Sequence, residues 1–239
     1  MSSPGLGRLV HEARTRADDD LAHVLEVLRA ARALPPGERF LHVRVPPRLL
    51  AFSRRDTHRA QFAAAGEVAR AVGFEPAVRH VGGAFAPLHE GSLVIDHYGT
   101  DHDAARSTLA RFEAHSGVLR EALVELGLDA RVGEVAGEYC PGEHSVNVAG
   151  RVKVAGVAQR VSGSAWVVST VLQVSGAESL RPVTVDVARV LGEHVDPATI
   201  GDLAGEGVAL STHEVARHVV VAFCAAALVL PRDVLVTGA

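Results

Sequence analysis

Between residues 131 and 174 the chain reads as one strand-like segment after another, and no other stretch limits the possible folds as tightly. "RVGEV", "HSVNVAG", "RVKVAGVAQRV" and "SAWVVSTVLQV" are rich in valine, and a polar loop, "AGEYCPGE", separates the first two. The glycine turn at Ala149 and Gly150 predicts a hairpin joining "HSVNV" to "RVKVAGVAQ".

The flanks read differently. "LAHVLEVLRAARAL" (21–34) repeats apolar residues at helical spacing behind Asp18, Asp19 and Asp20, acids that suit a helix N-terminus. "FLHVRV" (40–45) and "LLAFSRR" (49–55) are short strands separated by Pro46 and Pro47. Asp56 or Thr57 can cap a helix in "HRAQFAAAGEVARAVG", which Gly73 ends. The strand "PAVRH", the turn "VGGA" and the strand "SLVIDHYG" (92–99) follow, and then the longest helix, over 103–128. Two more helices are predicted in "VTVDVARVLGEHV" and "STHEVARHVVVAFCAAALVL". The expected architecture is α/β (α+β), a central mixed sheet flanked by helices. It is read as a single domain over 1–239, with its core at roughly 20–225.

Composition narrows the setting. The chain is 48% hydrophobic and 22% charged, as globular proteins are, and its longest apolar run, near 219–230, is too short to span a membrane. The N-terminus lacks the apolar core of a signal peptide and its acids argue against a transit peptide, so a cytoplasmic protein with no membrane partner is expected. Cys140 and Cys224 form neither a disulfide framework nor a zinc pattern, and no metal site is expected. A formal net charge of −4 with arginines scattered along the chain predicts no nucleic-acid partner.

One residue resists the compositional trend. Lys153 is the single lysine, and every other formal cation is arginine. On simple strand alternation Lys153, Ala155 and Val157 share one face, leaving room for a slender apolar ligand beside the ammonium. Two further stretches can carry chemistry. The Gly82–Gly83 turn in "RHVGGAF" can bring backbone amides to an anion. In "GEYCPGEHS", Cys140 sits in a loop where a cation or histidine could activate it, whereas Cys224 lies in an apolar helix. "HEVARH" (213–218) misses the zinc-protease spacing by one residue, and "DHYGTDHD" (96–103) reads as a solvated loop and helix cap.

Taken in order, the three stretches resemble the lipoate-protein ligase A and octanoyltransferase family, whose catalytic domain is related to biotin protein ligase. An aspartate after a strand ("AFSRRD", Asp56), an Arg-x-x-Gly-Gly turn ("RHVGGA") and a Lys-x-x-Gly-x-Ala-Gln strand ("KVAGVAQR") carry the likeness. The resemblance implies that Lys153 contacts the acyl carbonyl. It implies that Gly82, Gly83 and Ala84 line an acyl tunnel with Arg79 near its mouth, and that Gly156, Ala158 and Gln159 complete the strand motif. Cys140, thirteen residues before the lysine, matches the nucleophile of the cysteine-dependent octanoyl transferases and amidotransferases. His144 and His80 are the candidates for proton transfer.

The implied activity is transfer of an octanoyl or lipoyl group to a lysine of a lipoyl carrier domain. Such domains belong to the glycine cleavage H protein or 2-oxoacid dehydrogenase subunits, with acyl carrier protein as a possible donor, and no cofactor is required. The alternative is an ATP- and Mg²⁺-dependent lipoate-protein ligase. Against it stand Glu143 and His144, where ligases have an Asn-Asp pair, and the brevity of residues 226–239 beside the usual C-terminal accessory domain. A non-catalytic protein that binds acyl groups or lipoyl domains is the third reading, which the departures at His80 and Glu143 keep open.

Overall fold

The computed structural model describes residues 5–16 and 21–238, residues 13–16 by their backbone alone; Asp18–Asp20, the expected helix-start acids, lie outside the described residues. Its helices are α1 (Leu6–Arg16), α2 (His23–Ala31), α3 (Phe62–Ala71), α4 (Thr108–Glu125), α5 (Ala177–Val190) and α6 (Thr212–Ala225). Its strands are β1 (Arg39–Arg44), β2 (Leu49–Phe52), β3 (Glu75–Val78), β4 (Ala86–Leu88), β5 (Ser92–Thr100), β6 (Ala130–Val132), β7 (Val146–Val148), β8 (Val152–Ser162), β9 (Ala165–Gln173) and β10 (Val234–Thr237).

Seven strands form one mixed sheet in the order β10-β1-β5-β9-β8-β7-β6, and β3-β2-β4 form a second, smaller sheet. The large sheet is antiparallel except for the β1–β10 pair. The expected hairpin is present. Ala149 and Gly150 both have positive φ (54° and 69°), and the Arg151 amide donates to Val148 O at 3.0 Å, the two-residue turn whose twist suits antiparallel strands.

Alternation along β5 sorts the layers. Leu93 and Ile95 pack with Leu119, Leu123, Val215 and Phe223 under α4 and α6. Val94 faces the opposite way, into a core shared by the small sheet, α3 and α5 through Leu50, Phe52, Phe74, Phe85, Leu180 and Val187. A third cluster closes the end near α1 and α2, with Val27, Leu28, Phe40 and Tyr98.

Several expectations are corrected by tertiary contacts. Asp56 caps no helix: its buried carboxylate accepts from Ser53 N and Ser53 Oγ, both at 2.8 Å, closing a tight turn, and α3 starts only at Phe62. Helix α5 begins at Ala177, ahead of Pro182, because the Asp202 carboxylate receives the Ala177 amide at 2.6 Å and so caps it from across the chain. Helix α6 stops at Ala225, where Ala227 turns to φ 55°.

The most consequential correction lies in β8. Asn147 pairs with Lys153 and Val146 with Ala155, so Val154 is an extra residue, a β-bulge. Val152, Val154 and Ala155 all enter the core beneath α4 and α6. Beyond the bulge Gly156, where a Cβ would lie 3.5 Å from Lys153 Cε, comes to the lysine's side, and Lys153 shares its cavity with Gly156, Val157 and Ala158 but not with Ala155.

Gly99 lies opposite Trp166 in the β5–β9 register, and a Cβ there would sit 2.3 Å from the indole Cζ2. Gly99→Ala should therefore destabilise the fold by roughly 1–3 kcal/mol, read as a lowered urea midpoint.

Under α4, burial holds the His97 imidazole from 6.5 down to about 3 and keeps His115, which shares a hydrogen bond with Thr170 Oγ1 at 2.8 Å, well below its usual range. Each ring binds fewer protons folded than unfolded, so their contribution is full above about pH 6.5. It falls as pH drops, by about 1.4 kcal/mol per pH unit and per histidine, until the folded rings protonate in turn. Urea midpoints measured downward from neutral pH should show this slope, reduced in His97→Gln.

Candidate active site

The Cys140 sulfur lies where the two sheets meet. Tyr139 and Cys140 come from the loop between β6 and β7, Lys153, Gly156 and Ala158 from β8 of the large sheet, and Arg79, Gly83 and Ala86 from the small sheet and its glycine turn. Together they line a cavity of about 50 Å³, space for a few waters. On the other side of Arg79 and Val171 lies a second cavity of about 30 Å³, with Val24, Ala51, Leu88 and Val94 as apolar wall and Arg44, Asp96 and Ser169 as its polar part.

The loop is built around a buried ion pair. Glu138 and Lys153 are 4% and 1% exposed, with Nζ 3.0 Å from Oε1. The carboxylate also accepts from Ser145 Oγ at 2.9 Å, Gly142 N at 3.2 Å and Val135 N at 3.0 Å. Lysine Nζ gives its other protons to Tyr139 O at 2.9 Å and Cys140 O at 2.7 Å. All three ammonium protons are therefore used, and in this arrangement none is left for an acyl carbonyl. Lys153 fixes the backbone that carries the cysteine. The Tyr139 ring covers the ammonium at 4.9 Å, and burial pushes the Tyr139 phenol far above its usual range.

That anchoring holds Cys140 at φ 46°, a left-handed conformation that costs a non-glycine residue of order 1–3 kcal/mol. The strain aims the thiol at the glycine turn. The Ala84 amide donates to Sγ at 3.1 Å and Arg79 Nη2 at 3.4 Å, while the same guanidinium nitrogen holds Ala84 O at 2.5 Å. A guanidinium and an amide converge on the sulfur, two donors that can also serve an oxyanion one bond away. Gly83 must be glycine here. Its φ is 92°, and a Cβ would lie 2.5 Å from Arg79 Nη2 and 2.8 Å from Sγ.

Other expected site residues lie elsewhere. Gln159 faces α4, where its Oε1 accepts from Arg111 Nε at 2.8 Å and its Nε2 donates to Thr108 O at 2.9 Å; the bulge turned it away from the cysteine cavity. His144 stacks on Phe112 of α4, with ring centroids 4.7 Å apart. His80 lines the apolar cavity and an outer groove, and neither histidine is among the residues lining the cysteine cavity. Gly82 borders that outer groove. Cys224 lies on α6, and burial raises its thiol. Glu138, absent from the expected site residues, is the acid on which the loop depends.

Among the described residues one cluster has metal-ligand geometry, the buried His23, His42 and Asp96. Asp96 already pairs with Arg44 at 3.2 Å. Among the described residues no helix is long and apolar enough to cross a membrane.

Gly83→Ala should displace Sγ from the Ala84 amide and slow alkylation of Cys140 by iodoacetamide by about tenfold or more, followed by intact mass.

Comparison with known proteins bears on the fold. No protein-family model matches the chain. An octanoyl-[GcvH]:protein N-octanoyltransferase of Exiguobacterium sibiricum is 34% identical over 120 residues, 48% of this chain and 41% of that protein. The protein of the same name from Oceanobacillus iheyensis is 28% identical over 165 residues, covering 62% and 56% of the two chains. The chain thus spans about half the length of the curated relatives it matches. Among solved structures, a lipoate-protein ligase A bound with ATP superposes with TM-score 0.65 at 17% identity, over 87% of this chain and 78% of its own. A bipartite lipoate protein ligase from Thermoplasma acidophilum gives TM-score 0.59 at 18% identity, over 100% and 84%. The fold is that of the lipoate-protein ligases.

Proposed function

We propose that the protein is a cysteine-dependent acyltransferase that moves an octanoyl or lipoyl group to a lysine of a lipoyl carrier domain. The observation that carries this reading is the Cys140 sulfur, bent by a left-handed backbone toward the Ala84 amide and the Arg79 guanidinium. The names of the curated relatives support octanoyl as the group and the glycine cleavage H protein as one carrier.

In this mechanism the Cys140 thiolate attacks the carbonyl carbon of an acyl-lysine amide or thioester donor. A C–S bond to Cys140 forms, the donor's C–N or C–S bond breaks, and the departing amine or thiolate takes a proton from solvent. The acceptor lysine, as free amine, then attacks the thioester, loses a proton and expels the Cys140 thiolate. The Ala84 amide and Arg79, which hold the sulfur before reaction, are within reach of the oxyanion that develops next to it in both steps. Lys153 and Glu138 act as positioning residues. The acyl chain leaves Sγ over Gly156 and Ala158 and passes Arg79 toward the apolar cavity, and because both cavities are small its entry moves side chains apart.

A second reading has its own support, the likeness in fold to a ligase bound with ATP. A ligase would need ATP and Mg²⁺ and could dispense with Cys140. Incubation with octanoylated H protein, without nucleotide, should add one octanoyl group to the intact protein. Cys140→Ser should abolish the adduct and slow overall transfer at least about 10³-fold. Transfer that required ATP and survived in Cys140→Ser would replace the transferase by the ligase.

A further inference from the structure

Arginines that are scattered in the sequence converge beside the Cys140 site. Arg54 and Arg55, on the turn after β2, and Arg160, on β8, line an open groove of about 470 Å³ with His80 and the Gly82–Gly83 turn. Gly83 also borders the cysteine cavity, so the groove leads to the sulfur across a single residue. Among the described residues no acid lines it. Among the described residues no acid pairs with Arg54, Arg55 or Arg160, and Arg160 spends only Nη1, on His80 O at 2.9 Å. Arg48, Arg59, Arg70, Arg131 and Arg151 elsewhere each hold a carboxylate. Since the whole chain carries −4, this mouth is a local positive field on a negative background.

We propose that the groove is the docking surface for carrier proteins whose modified lysine is ringed by acidic side chains, and that donor and acceptor use it in turn. The inference rests on the acyl-enzyme reading above, in which the donor leaves before the acceptor arrives. An acceptor lysine approaching three arginines alone would be repelled; acids around it supply both the attraction and the register. A nucleotide phosphate fits less well. Arg54 and Arg55 are exposed and spread along an open surface, and the single lysine is committed to Glu138.

The test uses octanoylated and unmodified H protein with the double variant Arg54→Glu/Arg55→Glu, and Arg54→Gln/Arg55→Gln as the milder control. Expected is a loss of about tenfold or more in kcat/KM for donor and for acceptor at low salt, smaller in the Gln pair, together with loss of the steep salt dependence of the unaltered protein. Acylation of Cys140 by a small octanoyl thioester should stay within about twofold, and excess unmodified H protein should inhibit competitively against the donor. Unchanged kcat/KM and salt dependence in the Glu pair would overturn the proposal, as would equal loss of acylation by the small thioester. Displacement of H protein by ATP or inorganic phosphate at concentrations too low to act by ionic strength would overturn it in favour of a phosphate site. If the unaltered protein failed to acylate Cys140 from the thioester, the cysteine mechanism would fall by itself. Calorimetric binding of H protein to the unaltered and Glu-pair proteins would still decide the docking surface.

Discussion

A lysine and a glutamate taken fully out of water hold the candidate site together. Burying two opposite charges is expensive and is repaid only when their remaining donors and acceptors find partners. Here they do: Nζ makes three hydrogen bonds and the Glu138 carboxylate accepts four. Those bonds reach Val135, Tyr139, Cys140, Gly142 and Ser145, so the pair acts as the internal scaffold of a loop with little regular structure. The left-handed backbone at Cys140 persists because both neighbouring carbonyls are tied to the ammonium. A guanidinium, planar and broader, would not fit its donors to three acceptors converging on one point, which gives a physical reason for a lysine in a chain that otherwise uses arginine.

The bulge at Val154 determines what that ammonium sits beside. Without it, strict alternation would group Lys153 with Ala155 and Val157; with it, Ala155 joins the core under α4 and α6, and Gly156 and Ala158 join Val157 in the cavity of the lysine and the cysteine. The same half-turn sends Gln159 to Arg111, linking the strand motif to the start of α4 and not to the cavity. The other half of the site comes from the small sheet, which presents Arg79 and the positive-φ Gly83. The sulfur thus sits at a seam between two sheets, and its immediate donors are far from it in sequence.

Much of the fold was legible because its signals are local. Valine-rich alternation marked β7, β8 and β9, helical spacing marked α2, α4 and α6, and the Ala-Gly dipeptide marked the hairpin. What escaped depends on partners distant in the chain. Strand β10 is four residues long and becomes a strand only by pairing with β1, nearly two hundred residues earlier. Strand β4 contains Pro87 and spans three residues against β2. Helix α5 starts before its proline because of a carboxylate twenty-five residues further on. In the site, Cys140, Lys153, Arg79 and the glycine turn stood out by residue type and spacing. Glu138 and the diversion of His144 and Gln159 did not, since nothing local distinguishes a glutamate bound for the interior from one in solvent.

By itself the sequence determined a mixed sheet between helices and a short inventory of chemically capable residues: one lysine, one loop cysteine and one Arg-x-x-Gly-Gly turn. Composition and periodicity suffice for that, because they act through neighbours along the chain. Only the tertiary structure decided which members of that inventory meet. A one-residue bulge and a buried ion pair, both products of long-range packing, assign Lys153 to the loop and leave the sulfur to Arg79 and the Ala84 amide.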